Sequence, residues 1–156
     1  MAFTTSKIFS AVITDSLNNT TLIDLNSDTI EAALFNNTGT PSQSVTAANS
    51  AYAVDQWVVG NGVSDASGWP ALGRPLATIV SSFTTNVYTF SAANTVSANN
   101  VSTIVGAYGC LVYDHTISTP VADQGICFNY FGGVQTVTAG TFTIAWNASG
   151  IFTLTL

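Results

Sequence analysis

The sequence predicts an all-β domain, an antiparallel β-sandwich or barrel with long irregular loops, forming one unit over residues 1–156. Three observations predict it. Apolar side chains recur with a period of two along several segments, the spacing that places them on one face of a strand. Glycine and asparagine stand between those segments, where the chain must turn. No heptad, tandem repeat, low-complexity tract or linker divides the chain, and alternating strands without a helical period point to a sandwich or barrel.

From the N-terminus, residues 21–25 read as a strand. Residues 27–35 are compatible with a short helix through Ser27, Ile30 and Leu34, but Thr29 and Ile30 and the β-rich surroundings favour a strand. Residues 41–55 are small and polar and read as a long loop or one short helix. Residues 60–73, with several glycines, Trp69 and Pro70, read as an irregular connection between two strands. Residues 85–90 alternate and form a short strand, followed by 101–105. The segments 106–114 and 125–131 alternate less strictly, as strands buried on both faces do. Gly132 and Gly133 interrupt the pattern before a short run over 134–137.

The C-terminus carries the strongest alternation. Phe142, Ile144 and Trp146 share one face, and Phe152, Leu154 and Leu156 align after the Asn147-Ala148-Ser149-Gly150 turn. Two alternating runs around an Asn/Gly turn predict a hairpin over 140–156.

Composition narrows the function. Hydrophobic residues make up 47% of the chain and charged residues 6%, against about 25% charged in an ordinary soluble domain. Thr, Ser and Asn can pair with backbone or a neighbour without the cost of desolvating a charge. A monomer needs charges to stay apart from its copies, and a subunit built to pack into an assembly does not. A neutral extracellular domain is the other reading of the same composition. Lys7 and Arg74 are the only basic residues against eight acids, too few for a phosphate backbone or an anionic membrane. No stretch approaches the length of a membrane span. Residues 1–7 lead into no apolar signal segment, so the chain is expected to be made in a cytosol and not exported by the general route.

No catalytic, cofactor or metal constellation is expected, and the chain is read as no enzyme. His115 is the sole histidine, and its Asp-His-Thr setting reads as an exposed loop. The acids Asp24, Asp28 and Glu31 lack the Asp-x-Asp-x-Asp-Gly pattern of a calcium loop and read as a solvated edge or helix cap. Cys110 and Cys127 fall on neighbouring predicted strands. Reduced, buried thiols are favoured over a disulfide in a cytosolic product. Asn-x-Ser/Thr triplets at Asn36, Asn100 and Asn147 arise by chance in so Asn- and Thr-rich a chain, and Gly60-Asn61-Gly62 lacks the lysine of a phosphate loop. Most of Tyr52, Trp57, Trp69, Tyr88 and Tyr108 are expected to pack in strands. Trp57 and Trp69 are the candidate interface residues, and Trp69, between Gly68 and Pro70, is the best candidate for an exposed aromatic.

Several blocks resemble a family of small bacteriophage virion proteins. Asp28-Thr29-Ile30-Glu31-Ala32-Ala33-Leu34 is similar to the family's early D-T-I-x-x-A-L strand. Ser67-Gly68-Trp69-Pro70-Ala71-Leu72-Gly73-Arg74-Pro75-Leu76 is similar to a Gly-aromatic-x-x-Gly-Gly segment, with Leu72 in place of a glycine. Tyr113-Asp114 stands where a strand-ending Y-D recurs. Phe131-Gly132-Gly133 and residues 140–154 resemble the family's F-G-G block and its closing G-x-F-x-I-x-W-x-x-x-G-I-x-x-L. The resemblance implies a virion structural protein at the capsid surface. Its implied role is capsid decoration (cement) on the major capsid protein lattice, assembled as a homotrimer. The alternative is a tail or fibre-tip protein that binds receptors, which predicts exposed aromatics around Trp57 and Trp69.

Overall fold

The computed structural model describes residues 3–156. Met1 and Ala2, the start of the segment read for a signal peptide, lie outside them. The chain is mostly β, at 40% strand and 12% helix, and every strand pair is antiparallel. In chain order the elements are β1 (Lys7–Ile8), α1 (Ser10–Asn18), β2 (Ile30–Phe35), α2 (Ala47–Ser50), β3 (Gly62–Val63), β4 (Arg74–Pro75) and β5 (Val80–Thr84). There follow β6 (Val87–Ser91), β7 (Thr95–Val96), β8 (Ser102–Asp114), β9 (Gly125–Gly140), β10 (Thr143–Ile144) and β11 (Phe152–Thr155).

The main sheet runs β1-β9-β8-β2-β3, with β4 also paired to β2. Its centre, formed by β2, the second half of β8 and the first residues of β9, is buried on both faces, and β2 shows why. All six of its residues are buried, and their alternation feeds two separate cores. Ile30, Ala32 and Leu34 pack with Cys110, Val112, Trp69, Phe90, Phe142 and Ile144. Ala33 and Phe35 pack on the other side with Leu111, Tyr113, Phe3, Phe9, Tyr52 and Trp57. Two small sheets, β11-β6-β5 and β10-β7, contribute Phe90 and Ile144 to the first core, while α1 and the loops around α2 cover the second. The sheets stack as an open sandwich and do not close into a barrel.

Several expected elements appear where alternation placed them. Residues 30–35 form a strand and not a helix, 41–55 hold the short helix α2, and 60–73 are irregular apart from the two-residue strand β3 and one isolated bridge, Asp65 to Trp69. The segments 101–105 and 106–114 are one continuous strand, β8. The runs 125–131 and 134–137 are likewise one strand, β9. Gly132 (φ +79°) does not end β9. It lies where β9 bulges between the pairs Gly109↔Tyr130 and Ala107↔Gln135, a backbone shape that suits glycine.

Other expectations are corrected. The C-terminal alternation assigns faces correctly, since Phe142 and Ile144 are buried beside exposed Thr141 and Thr143. The two runs nevertheless do not form a hairpin with each other. β10 pairs with β7 and β11 pairs with β6, because each run completes a different small sheet over the first core. Leu156, aligned with Phe152 and Leu154, is 85% exposed. Residues 21–25 form no strand. They lead into a turn in which Asp28 N–H donates to Asp24 C=O. Thr85 and Asn86, read as the start of a strand, form the turn between β5 and β6, both with positive φ. The helix α1 and the strands β1, β3, β4, β5 and β7 were not expected.

Trp69 is the central correction. It is fully buried, its Nε1–H donates to Ala32 C=O at 3.0 Å, and its ring meets Phe142 edge-on at 5.4 Å. Trp57 is buried too, ringed by Phe3, Phe9, Phe35 and Phe128 at centroid distances of 5.0–6.1 Å. Both indoles anchor a core, and neither faces outward. Gly73 holds the Trp69 loop against β2: its φ is +107°, and a Cβ there would lie 2.4 Å from Ala32 C=O.

Trp69→Ala is expected to lower the unfolding free energy by about 3–5 kcal/mol, read from urea unfolding. Leu17→Ala, at a side chain 81% exposed on α1, is expected to change it by less than about 0.5 kcal/mol.

Candidate functional site

The charges of this chain are segregated. Every Asp, Glu, Lys, Arg and His lies within residues 7–74 or 114–123, and residues 75–113 and 124–156 carry none. Folding turns that division into two regions. β5, β6, β7, β10 and β11 belong wholly to the uncharged stretches, as do β9 and all of β8 but Asp114.

The ionisable groups concentrate at the end of β2 and β8. Asp114 closes β8 opposite Ile30 and is fully buried. Its Oδ1 accepts from the N–H of Thr116 at 2.9 Å and of Ile117 at 3.3 Å, while its Oδ2 is buried without a partner. Burial, reinforced by the neighbouring Asp28, raises its carboxyl to about 7. On the opposite face of the sheet Glu31 is buried opposite Tyr113, with Oε2 unpartnered. Burial raises it as well, against the pull of His115 and Arg74. The acidic trio expected as a solvated edge therefore divides: Asp24 and Asp28 form a turn, and Glu31 enters the interior.

Around Glu31, Tyr52 and Tyr113 stack at 5.0 Å and donate their hydroxyls to Ala71 and Leu72 C=O. Burial raises both phenols. His115 is exposed, as expected for a loop. Its Nδ1 lies 2.7 Å from Asp123 Oδ1, and its ring meets Tyr113 edge-on at 6.0 Å. These contacts tie the β8–β9 loop to the sheet. Cys110 and Cys127 are free, buried thiols. Burial holds both as thiols, raising Cys127 to about 12. Among the described residues no three His, Cys, Asp or Glu side chains converge to hold a metal.

The uncharged lobe is different in kind. Val80, Phe83, Val96, Val101, Val105 and Val134 stand 41–62% exposed on it. A groove of about 350 Å³ lies between Tyr130, Phe131, Gln135 and Phe142. Asp65 reaches this lobe at Thr103 of β8, and both of its oxygens are hydrogen-bonded. It accepts from Ser67 and Gly68 and, at 2.6 Å, from the N–H of Thr103, and the bond to Thr103 leads the causes that lower it to about 2. Such a surface offers a partner neutral hydrogen bonds and apolar contact, with no ion pair to form or break. Sequence reasoning missed its centre, because β5 was not read as a strand. The signal was there in Val80-Ser81-Ser82-Phe83 ahead of the Thr85-Asn86 turn. Comparison with family models, with curated proteins and with solved structures finds no match to this chain.

The buried acids predict the pH dependence of stability. The ordinary carboxyl value of Asp114 is 3.8, so between about pH 4 and 7 the folded chain holds a proton that the unfolded chain has released. Stability therefore falls as pH rises through that window, and Glu31 adds to it with the same sign. Asp65 acts oppositely: its contribution is present above about pH 4 and is lost as pH falls toward 2. The melting midpoint is expected to peak near about pH 4–5. Raising the pH to about 8 should lower it by about 5 °C. Asp114→Asn should flatten that alkaline limb and leave the acid limb in place.

Proposed function

We propose that this chain is a structural subunit of a bacteriophage virion, and that capsid decoration on a lattice of major capsid proteins is the role it fits best. The observation that carries this reading is the uncharged lobe. A surface of valine, threonine and asparagine whose strands contribute no Asp, Glu, Lys, Arg or His side chain suits permanent contact with protein and gives a free monomer little electrostatic protection against association. The resemblance of residues 28–155 to small virion proteins supplies the setting. Many weak identical contacts, multiplied by the symmetry of a shell, hold firmly without any single strong one. The tail reading drew on exposed indoles at Trp57 and Trp69, and both are in the cores.

The test uses capsids of the phage whose genome carries this sequence. The purified protein is expected to co-sediment with them. Because the contact is uncharged, binding should change by less than about threefold between about 50 and 500 mM NaCl. Protein that stays in the supernatant at every salt concentration would overturn the reading. Density for it on the tail and not the head would move the role to the tail.

A further inference from the structure

We infer that β5 is a self-pairing edge: two copies of this chain join β5 to β5 across a two-fold axis, fusing their three-stranded sheets into one. This inference concerns contact between copies and stands independently of the virion reading.

Among the described residues, the strand order β11-β6-β5 leaves one side of β5 unpaired. Natural edge strands are blunted by lysine, proline, a bulge or extreme shortness. β5 has none of these. Its sequence is Val80-Ser81-Ser82-Phe83-Thr84, its register with β6 runs unbroken from Val80↔Ser91 to Thr84↔Val87, and four of its five residues are exposed.

The register also fixes which groups point outward. β5 and β6 join through the two-residue turn Thr85-Asn86, which makes Thr84↔Val87 the closing hydrogen-bonded pair. By alternation Val80, Ser82 and Thr84 bond to β6, and the N–H and C=O of Ser81 and Phe83 face outward. An antiparallel second copy centred on Ser82 sets Ser81 opposite Phe83 of its partner and Phe83 opposite Ser81. Those are the two residues with free backbone groups, so the edge is complementary to itself under a two-fold.

Side chains agree with the backbone. Phe83, 58% exposed, lies on the same face as Tyr88, Phe90, Phe152 and Leu154, at the rim of the apolar face that covers the first core. Pairing would continue that face across the axis, from Leu154, Tyr88 and Phe83 to Ser81, Phe90 and Phe152 of the second copy. Electrostatics favours the same occupant. The chain has a net charge of −6, yet no charge lies on β5, β6 or β11. Copies meeting here keep their acidic ends apart, whereas any contact through the β2–β8 end would crowd buried and exposed carboxylates together.

A five-residue edge is a small interface, so the dimer should be concentration-dependent. Sedimentation velocity from about 5 to 500 μM is expected to show a mass rising toward twice that of the chain. Phe83→Lys and Ser82→Lys place like charges at the axis and should each weaken association at least about tenfold. Leu17→Lys, at an exposed site on α1, should leave it unchanged. Far-ultraviolet circular dichroism confirms that each variant is folded. Should Phe83→Lys fail to fold, Ser82→Lys, whose side chain lies on the other face, carries the test. A wild-type chain that stays monomeric throughout overturns the inference. So does a trimer, or a dimer undiminished in the folded lysine variants.

Discussion

Burial of the centre of the main sheet on both faces is the constraint from which the rest of this structure follows. A strand such as β2, with all six residues inside, needs a cover on each side, and 156 residues supply two covers only by dividing the chain's aromatic residues between them. One is built from β6, β7, β10, β11 and the Trp69 loop, the other from α1, α2 and the cluster around Trp57. The cost is that polar groups at the end of the sheet are carried inward with it. Asp114 and Glu31 are where that cost is visible, each with one oxygen left without a partner. Thr21, Gln56, Trp57, Arg74 and Gln124 each bury one unpartnered polar atom as well, whereas other serine and asparagine side chains find backbone partners at short range. Ser97, Ser102 and Asn99 knit the start of β8 in that way.

What was legible in the sequence was the face each residue takes, because a period of two states it directly. Phe142 and Ile144 point inward as their spacing requires, and residues 30–35 are a strand because Thr29, Ile30 and the β-rich context outweigh a helical spacing. What was not legible was partnership. Alternation around Asn147–Gly150 is equally compatible with a hairpin and with two strands leaving for different sheets, and the choice depends on β6 and β7, far away in the chain. The helix α1 escaped because Val12, Ile13 and Thr14 are β-branched and only Val12 is buried, so its apolar stripe is too thin to register as a helical period. Trp69 was misplaced for a related reason. Glycine and proline neighbours mark an irregular backbone, but irregular backbone can fold over a core as readily as it can face solvent.

The segregation of charge was written in the sequence as two uncharged stretches, and it took the fold to make it spatial. Residues 75–113 and 124–156 are separated by the loop that carries Asp114, His115 and Asp123. The long β8–β9 pairing brings the two stretches together and pushes that loop to one end. The same ribbon therefore does two things at once. Its inner residues complete both cores, and its topology collects the ionisable groups at the end of β2.

This arrangement separates stability from association. The buried carboxyls of Asp114 and Glu31 lie at the charged end and, with Asp65, set how the fold responds to pH. The uncharged lobe carries the exposed valines, Phe83 and an open strand edge, with Asp65 bound to it through Thr103. A protein organised in this way can tune its folding through protonation at one end while its contacts at the other stay constant, because Coulomb terms at that distance are screened within about a nanometre at physiological salt. The low charge of the sequence is thus an average over two unlike surfaces: an end where most of the acids gather, and a lobe whose strands contribute no charged side chain.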